Sequence, residues 1–188
     1  MLYNNPAVTM DNYEPGQDRN VAALNNLFMC DGFFMKKDKY YFMKQALKEA
    51  QKALLIDEVP IGCVIVKDDK IIARGYNRRE SKNEVTSHAE IEAIRKANKK
   101  LNSWRLVDTD IYITLEPCMM CMGAIIQSRI RNIYFGARDY KGGALGSSIN
   151  ALEAKNINHY PNVESGILEE ECSLIISNYF KKKREKKN

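Results

Sequence analysis

Between Ile111 and Gln127 the chain changes hydrophobic period across a single proline. Ile111-Tyr112-Ile113-Thr114 is β-branched and aromatic and reads as a strand. Met119 to Gln127 is apolar, free of internal proline, with Gly123 its only weak helix former, and reads as a helix. Pro117 is expected at the first helical position, where a missing N–H costs nothing. Cys118 and Cys121, three apart, are then expected on one helix face. The partial positive charge of a helix N-terminus favours thiolate over thiol at both.

A C-x-x-C pair alone admits a redox couple, half of a structural zinc site, or two buried thiols. The chain holds only two histidines, and one lies in Ser87-His88-Ala89-Glu90. His88, Cys118 and Cys121 supply three zinc ligands, with the Glu90 carboxylate close by. Three protein ligands leave a fourth position for water, which is the catalytic rather than the structural arrangement. Zinc lowers the pKa of such a water from about 15.7 to about 7, and Glu90 can shuttle the proton. In a regular helix residues two apart point to nearly opposite sides. His88 and Glu90 can therefore share a site only at a helix start, with Thr86 or Ser87 able to cap a helix over His88 to Lys99. A purely structural zinc module would need a fourth protein ligand, Cys63 or His159, and would leave Glu90 without a role.

The 188 residues suit one domain with a full core. Their 45% hydrophobic and 28% charged content fits a soluble globular chain. No apolar run approaches the roughly 20 residues needed to span a bilayer, so no membrane association is expected. The N-terminus lacks the basic start and apolar stretch of a secretory signal. Five cysteines, an odd number with two assigned as ligands, suit a reducing cytoplasm. Of 29 basic and 24 acidic residues, six and one fall in Lys181–Lys187, leaving 23 of each sign elsewhere. The whole net charge of +5 therefore sits in a terminal tail, read either as a solvated end or as a phosphate-seeking one.

Three segments are expected: an irregular extension over residues 1–34, a domain over 35–180 and a basic tail over 181–188. Met35 is expected as the true start, with the preceding residues an upstream extension of the reading frame; the alternative is a genuine, poorly ordered extension. Tyr40 to Ile56 reads as an amphipathic helix with Tyr40, Met43, Leu47, Ala50 and Leu54 on its apolar face. Ile61–Val66 and Lys70–Gly75 read as a hairpin turning at Asp68-Asp69, with Cys63 a core thiol. Asn77 to Thr86 reads as a polar loop. After the strand Asn132–Phe135 comes a Gly-rich loop over Gly136–Ser148. Ile149–Lys155 is expected as a short helix, His159 as a loop residue and Val163–Ile167 as a weak strand. Glu169–Lys183 is expected as a final helix with Cys172 packed inward. Strands alternating with helices after a hairpin predict a three-layer α/β/α domain, with both zinc-ligand helices on one face of the sheet.

The H-x-E and P-C-x-x-C pair is the signature of the zinc nucleobase deaminases. The chain resembles the bacterial tRNA-specific adenosine deaminases, within the cytidine/deoxycytidylate deaminase superfamily, from about Tyr40 to Arg184. The matching pieces are Glu58-Val59-Pro60-Ile61-Gly62, Gly75-Tyr76-Asn77-Arg78, His88-Ala89-Glu90-Ile91, Thr114-Leu115-Glu116-Pro117-Cys118 and Phe135-Gly136-Ala137-Arg138-Asp139. The resemblance implies a cytidine-deaminase-like fold with a five-stranded mixed sheet, one zinc per chain and a homodimer. It implies a hydrolase that converts the wobble adenosine of tRNA-Arg, in the anticodon stem-loop, to inosine. By resemblance Asn77 holds the purine, Ala89 offers its backbone N–H to the base, and Val59, Pro60 and Leu115 wall the pocket. Tyr179 and Phe180 contact neighbouring nucleotides, and Arg138, Asp139 and Lys141 approach the anticodon backbone. The same chemistry on a free base or nucleotide, such as guanine, cytosine or dCMP, is the alternative. RNA is favoured by the Phe135–Asp139 match and by the Tyr179-Phe180 pair beside a run of cations.

Overall fold

The computed structural model describes residues 37–186. The expectations for residues 1–34, and those for Lys187 and Asn188, lie outside the described residues.

Helix α1 (Lys39–Leu55) opens on Asp38, whose carboxylate accepts the Tyr41 amide at 2.7 Å. Strands β1 (Gly62–Lys67) and β2 (Lys70–Tyr76) pair antiparallel. Asp68 and Asp69 join them at φ 50° and 55°, the left-handed pair that a type I′ hairpin turn requires. A one-turn helix α2 (Arg79–Lys82) follows, then α3 (Ala89–Leu101), β3 (Asp110–Leu115), α4 (Met119–Ser128) and β4 (Asn132–Ala137). A single 3₁₀ turn at Ala151–Glu153, a short β5 (Asn162–Glu164) and α5 (Glu169–Glu185) complete the described chain.

The sheet runs β2-β1-β3-β4-β5. β1 pairs antiparallel with β2 and β3, while β3, β4 and β5 are parallel, so the sheet is mixed as expected. Period-two alternation divides each central strand between two cores. Cys63, Ile65, Ile111, Ile113, Ile133 and Phe135 pack with Ala89, Ala93, Met122 and Ile125 of α3 and α4. Val64, Val66 and Tyr112 face the other way, onto Phe42, Met43 and Ala46 of α1 and Cys172 of α5. The result is the three-layer α/β/α arrangement, with α3 and α4 on one face. Burying one such Ile or Met is worth about 1.5–3 kcal/mol, so these clusters hold both helix N-termini against the C-terminal end of β3.

Several local expectations are corrected. The buried face of α1 is Phe42, Met43, Ala46, Ala50 and Ala53, whereas Tyr40 and Leu54 are exposed. The loop after β2 contains α2. The helix expected at 149–155 is one 3₁₀ turn, and the strand expected at Val163–Ile167 is Asn162–Glu164. The residues read as a tail after Phe180 continue α5 as far as Glu185. Among the described residues no helix is long and apolar enough to cross a membrane.

Candidate active site

Two helix starts meet at the C-terminal end of β3. His88 is the N-cap of α3 and Cys118 the N-cap of α4, both with extended backbone and neither capping through its side chain. The expected caps Thr86 and Ser87 do not cap α3: Ser87 donates its hydroxyl to Glu84 at 2.6 Å. Pro117 sits one residue before the cap of α4 rather than at its first turn, and its carbonyl accepts the Ala144 amide at 2.9 Å. The non-helical cap geometry is what lets residues two apart converge. His88 is extended while Glu90 is already in the first turn of α3, so both reach the same cavity. The start of α3 lies close to the sheet. A Cβ at Gly75 of β2 would fall 2.1 Å from the Ala89 carbonyl oxygen, so only glycine permits this approach.

His88 Nδ1 lies 3.7 Å from Cys118 Sγ and 3.7 Å from Cys121 Sγ. All three donor atoms fall within 4.8 Å of one another. A tetrahedral zinc with bonds of about 2.0–2.1 Å to nitrogen and 2.3 Å to sulfur needs an N–S edge of roughly 3.6 Å. The residues present therefore fit a zinc ion. Cys121 is buried and Cys118 half-buried. Hydrogen bonding from Cys121, and beyond it from His88, pulls the Cys118 thiol down to about 4. Its hydrogen bond to Cys118, reinforced by burial, pushes the Cys121 thiol up. A divalent cation binds thiolates, so its binding here would displace the thiol protons.

Glu90 is 4% exposed, and burial raises its carboxyl above the usual range. A buried carboxylate with raised proton affinity beside a group of three potential metal donors suits proton transfer. It borders a cavity of about 60 Å³ with Ile61, His88, Leu115, Glu116, Cys118 and Asp139, room for one or two waters at roughly 30 Å³ each. Cys63 is in the core and His159 donates through Nε2 to the Ile130 carbonyl at 2.6 Å. Neither belongs to the three-donor group, so among the described residues the alternative of a structural zinc module finds no fourth ligand.

The expected substrate residues do not all fall in one place. Leu115 and Asp139 border the cavity itself. Ala89 is the first residue of α3, where a helix leaves its amide without an intrahelical partner. Asn77 is buried, and Glu58 accepts from its Nδ2 at 3.1 Å. Val59, Tyr179 and Phe180 line a neighbouring surface groove of about 710 Å³ with Arg79, Lys183 and Arg184; Pro60 is buried between Val59 and the cavity residue Ile61. Arg138 and Lys141 are exposed on the loop after β4.

Three acidic residues with defined contacts were not assigned roles from sequence. Glu58, fully buried, accepts from Asn77 and from the Ser81 amide at 2.6 Å. Glu116, 2% exposed, accepts the amides of Leu145, Ser147 and Asp139 and the Ser147 hydroxyl. Burial alone would raise the Glu116 carboxyl, but these hydrogen bonds outweigh it and lower it. Asp57 accepts Tyr179 Oη on its carbonyl at 2.9 Å and Lys183 Nζ on its carboxylate at 2.6 Å. The sequence signals for Glu58 and Glu116 are a carboxylate set beside apolar residues and proline, and their place inside the resembling pieces Glu58-Val59-Pro60-Ile61-Gly62 and Thr114-Leu115-Glu116-Pro117-Cys118.

The MafB19-like deaminase family model matches residues 37–184. A tRNA-specific adenosine deaminase of Bacillus subtilis is 47% identical over 153 residues, 81% of this chain and 94% of that protein. This chain belongs to the tRNA-specific adenosine deaminase family. A solved structure from a study of A-to-I editing by tRNA:A34 deaminases at the wobble position superposes on this deaminase with a TM-score of 0.71. It is 47% identical and covers 73% of this chain and 99% of its own. A guanine deaminase from Bacillus subtilis is 40% identical with a TM-score of 0.52, covering 54% of this deaminase and 65% of its own chain.

Proposed function

We propose that this deaminase hydrolyses adenosine to inosine at the wobble position of tRNA, with tRNA-Arg the substrate, and works as a zinc-loaded homodimer in the cytoplasm. The observation that carries the reading is the placement of Glu90. It borders the same cavity as His88 and Cys118 yet stands outside the three-donor group, which frees its carboxylate for protons. His88, Cys118 and Cys121 would hold the metal, and the chemistry it supplies when bound is acidification of a water, to a pKa near about 7.

Glu90 accepts the proton that the water loses as its oxygen bonds to C6 of adenine. It delivers that proton to N1. The proton of the hydroxyl now on C6, passed through the same carboxylate to the exocyclic nitrogen, lets the C6–N bond break as the C6 carbonyl forms, and ammonia leaves with inosine behind. The sum is adenosine plus water to inosine plus ammonia, a hydrolysis of a C–N bond in a cyclic amidine. Leu115, Val59 and Pro60 exclude solvent around the base, Asn77 and the Ala89 amide orient it, and burial raises the proton affinity of the Glu90 carboxylate.

RNA rather than a free base is supported by the surface groove whose lining residue Val59 lies two positions from the cavity residue Ile61. Tyr179 and Phe180 pack edge-on at 5.3 Å, with Arg79, Lys183 and Arg184 around them. Aromatics flanked by cations bind bases and phosphates of single-stranded loops. The similarity to a guanine deaminase keeps a small-substrate reading as the alternative. The deciding experiment offers the protein an anticodon stem-loop with adenosine at the wobble position and, separately, guanine, cytosine and dCMP. Inosine in the stem-loop alone supports the proposal; turnover of a free base or nucleotide without RNA editing overturns it.

A further inference from the structure

We propose that Glu116 is a positioning residue that fastens the loop over 138–147, and with it Arg138, Asp139 and Lys141, to the turn carrying Cys118. Its two oxygens divide the loop between them. Oε1 accepts Leu145 N at 2.8 Å and Ser147 N at 3.1 Å. Oε2 accepts Asp139 N at 3.2 Å and the Ser147 hydroxyl. Both ends of the loop are thus tied to one carboxylate that sits two residues before a metal ligand.

The backbone joins the same parts. Cys118 and Gly143 form an isolated antiparallel bridge, Ala144 N donates to the Pro117 carbonyl at 2.9 Å, and Gly143 N donates to the Asp139 carbonyl at 2.8 Å. Gly143 rests on the carboxylate: a Cβ there would fall 2.5 Å from Glu116 Cδ and 2.6 Å from the Asp139 oxygen. Asp139 and Glu116 both border the cavity of Glu90 and His88. The loop residues that would meet the RNA backbone are therefore set by the segment that sets the cysteine. Only an acceptor with two oxygens can serve, because all four partners donate. A glutamine must turn an NH₂ toward donors at one end, leaving either Asp139 N or the Leu145 and Ser147 amides without an acceptor.

The test is Glu116→Gln in the full-length, zinc-loaded protein, with Ser147→Ala as a milder variant that removes one donor and leaves the buried carboxylate its backbone partners. Zinc content, amide hydrogen exchange by NMR, and kcat and KM for the stem-loop are measured on each. The expected result is one zinc per chain and exchange at Asp139, Leu145 or Ser147 at least about tenfold faster, equivalent to ~1.4 kcal/mol, with β3 and β4 amides unchanged. KM should rise by at least about tenfold with a smaller fall in kcat, and Ser147→Ala should move the same way by less. Unchanged exchange at all three amides, or acceleration spread through β3 and β4, overturns the anchoring. Faster loop exchange with an unchanged KM overturns the positioning. The kinetic arm rests on the proposed RNA substrate, whereas the exchange arm does not, so a wild-type protein inactive on the stem-loop would count against that substrate and leave exchange to judge the anchor.

Discussion

Glu58 accepts a hydrogen bond from Asn77 Nδ2 at 3.1 Å, with both side chains buried. A carboxylate offers only acceptors, so this contact fixes which end of the Asn77 amide turns away from it. The other Glu58 oxygen takes the Ser81 amide at 2.6 Å, which leaves the glutamate no freedom to follow a moving asparagine. Glu58→Gln must give up one of the two bonds. Stem-loop kcat/KM should fall by roughly tenfold to a hundredfold, matching the ~1.5–3 kcal/mol of a hydrogen bond to a charged group, with zinc retained. A kcat/KM equal to the wild type would show that the orientation of Asn77 has no bearing on the substrate.

Metal content should follow the cysteines. Cys121→Ala should leave the protein without zinc and without turnover, because two ligands cannot hold the ion against a chelator. Chelation of the wild type should also expose Cys118 to alkylation. Among the described residues it is the one cysteine that is not buried; Cys63, Cys121 and Cys172 are. Mass-mapped iodoacetamide labelling before and after chelation reads this directly. Labelling of Cys118 at equal rates in both states would contradict its role as a ligand.

Among the described residues, the cations after Phe180 do not form a free tail. Lys181 to Glu185 continue α5, and Lys183 pairs with Asp57 at 2.6 Å while Tyr179 donates to the carbonyl of the same residue. Asp57→Asn should therefore loosen the groove wall carrying Tyr179 and Phe180 without touching the metal. Truncation after Phe180 removes Lys183 and Arg184 from that wall. It should weaken stem-loop binding and flatten its salt dependence by roughly 0.7 in log–log slope per lost phosphate contact on a single strand. Coincident salt series for intact and truncated protein would show that these cations do not meet RNA.

The sheet was legible because its alternation is local. Cys63-Val64-Ile65-Val66 assigns one side chain per face regardless of what lies beyond. The face of α1 was misread because Tyr40 and Leu54 fit the helical spacing as well as Ala46 and Ala53 do. What selects the alanines at 46 and 50 is close approach: a Cβ at Gly62 of β1 would fall 2.0 Å from the Ala46 carbonyl oxygen and 2.4 Å from the Ala50 amide nitrogen, so the helix backbone lies against the strand there. His88, Glu90, Cys118 and Cys121 were legible because zinc chemistry restricts both residue types and spacing. Glu58 and Glu116 were not, since their partners are mostly backbone amides 23 to 31 positions away, which no residue type encodes.

Glu90 carries the central claim, that the chain's own carboxylate moves the protons of a hydrolysis at C6. The direct test is stem-loop deamination in ¹⁸O-labelled water by the wild type and by Glu90→Gln, each matched for zinc content, with the product nucleoside weighed. The wild type should yield inosine carrying one solvent oxygen. Glu90→Gln should keep its zinc and lose turnover by at least the roughly 10²–10⁴-fold typical of general acid–base catalysis. Inosine without the label, or a zinc-loaded Glu90→Gln protein turning over near the wild-type rate, would contradict the account.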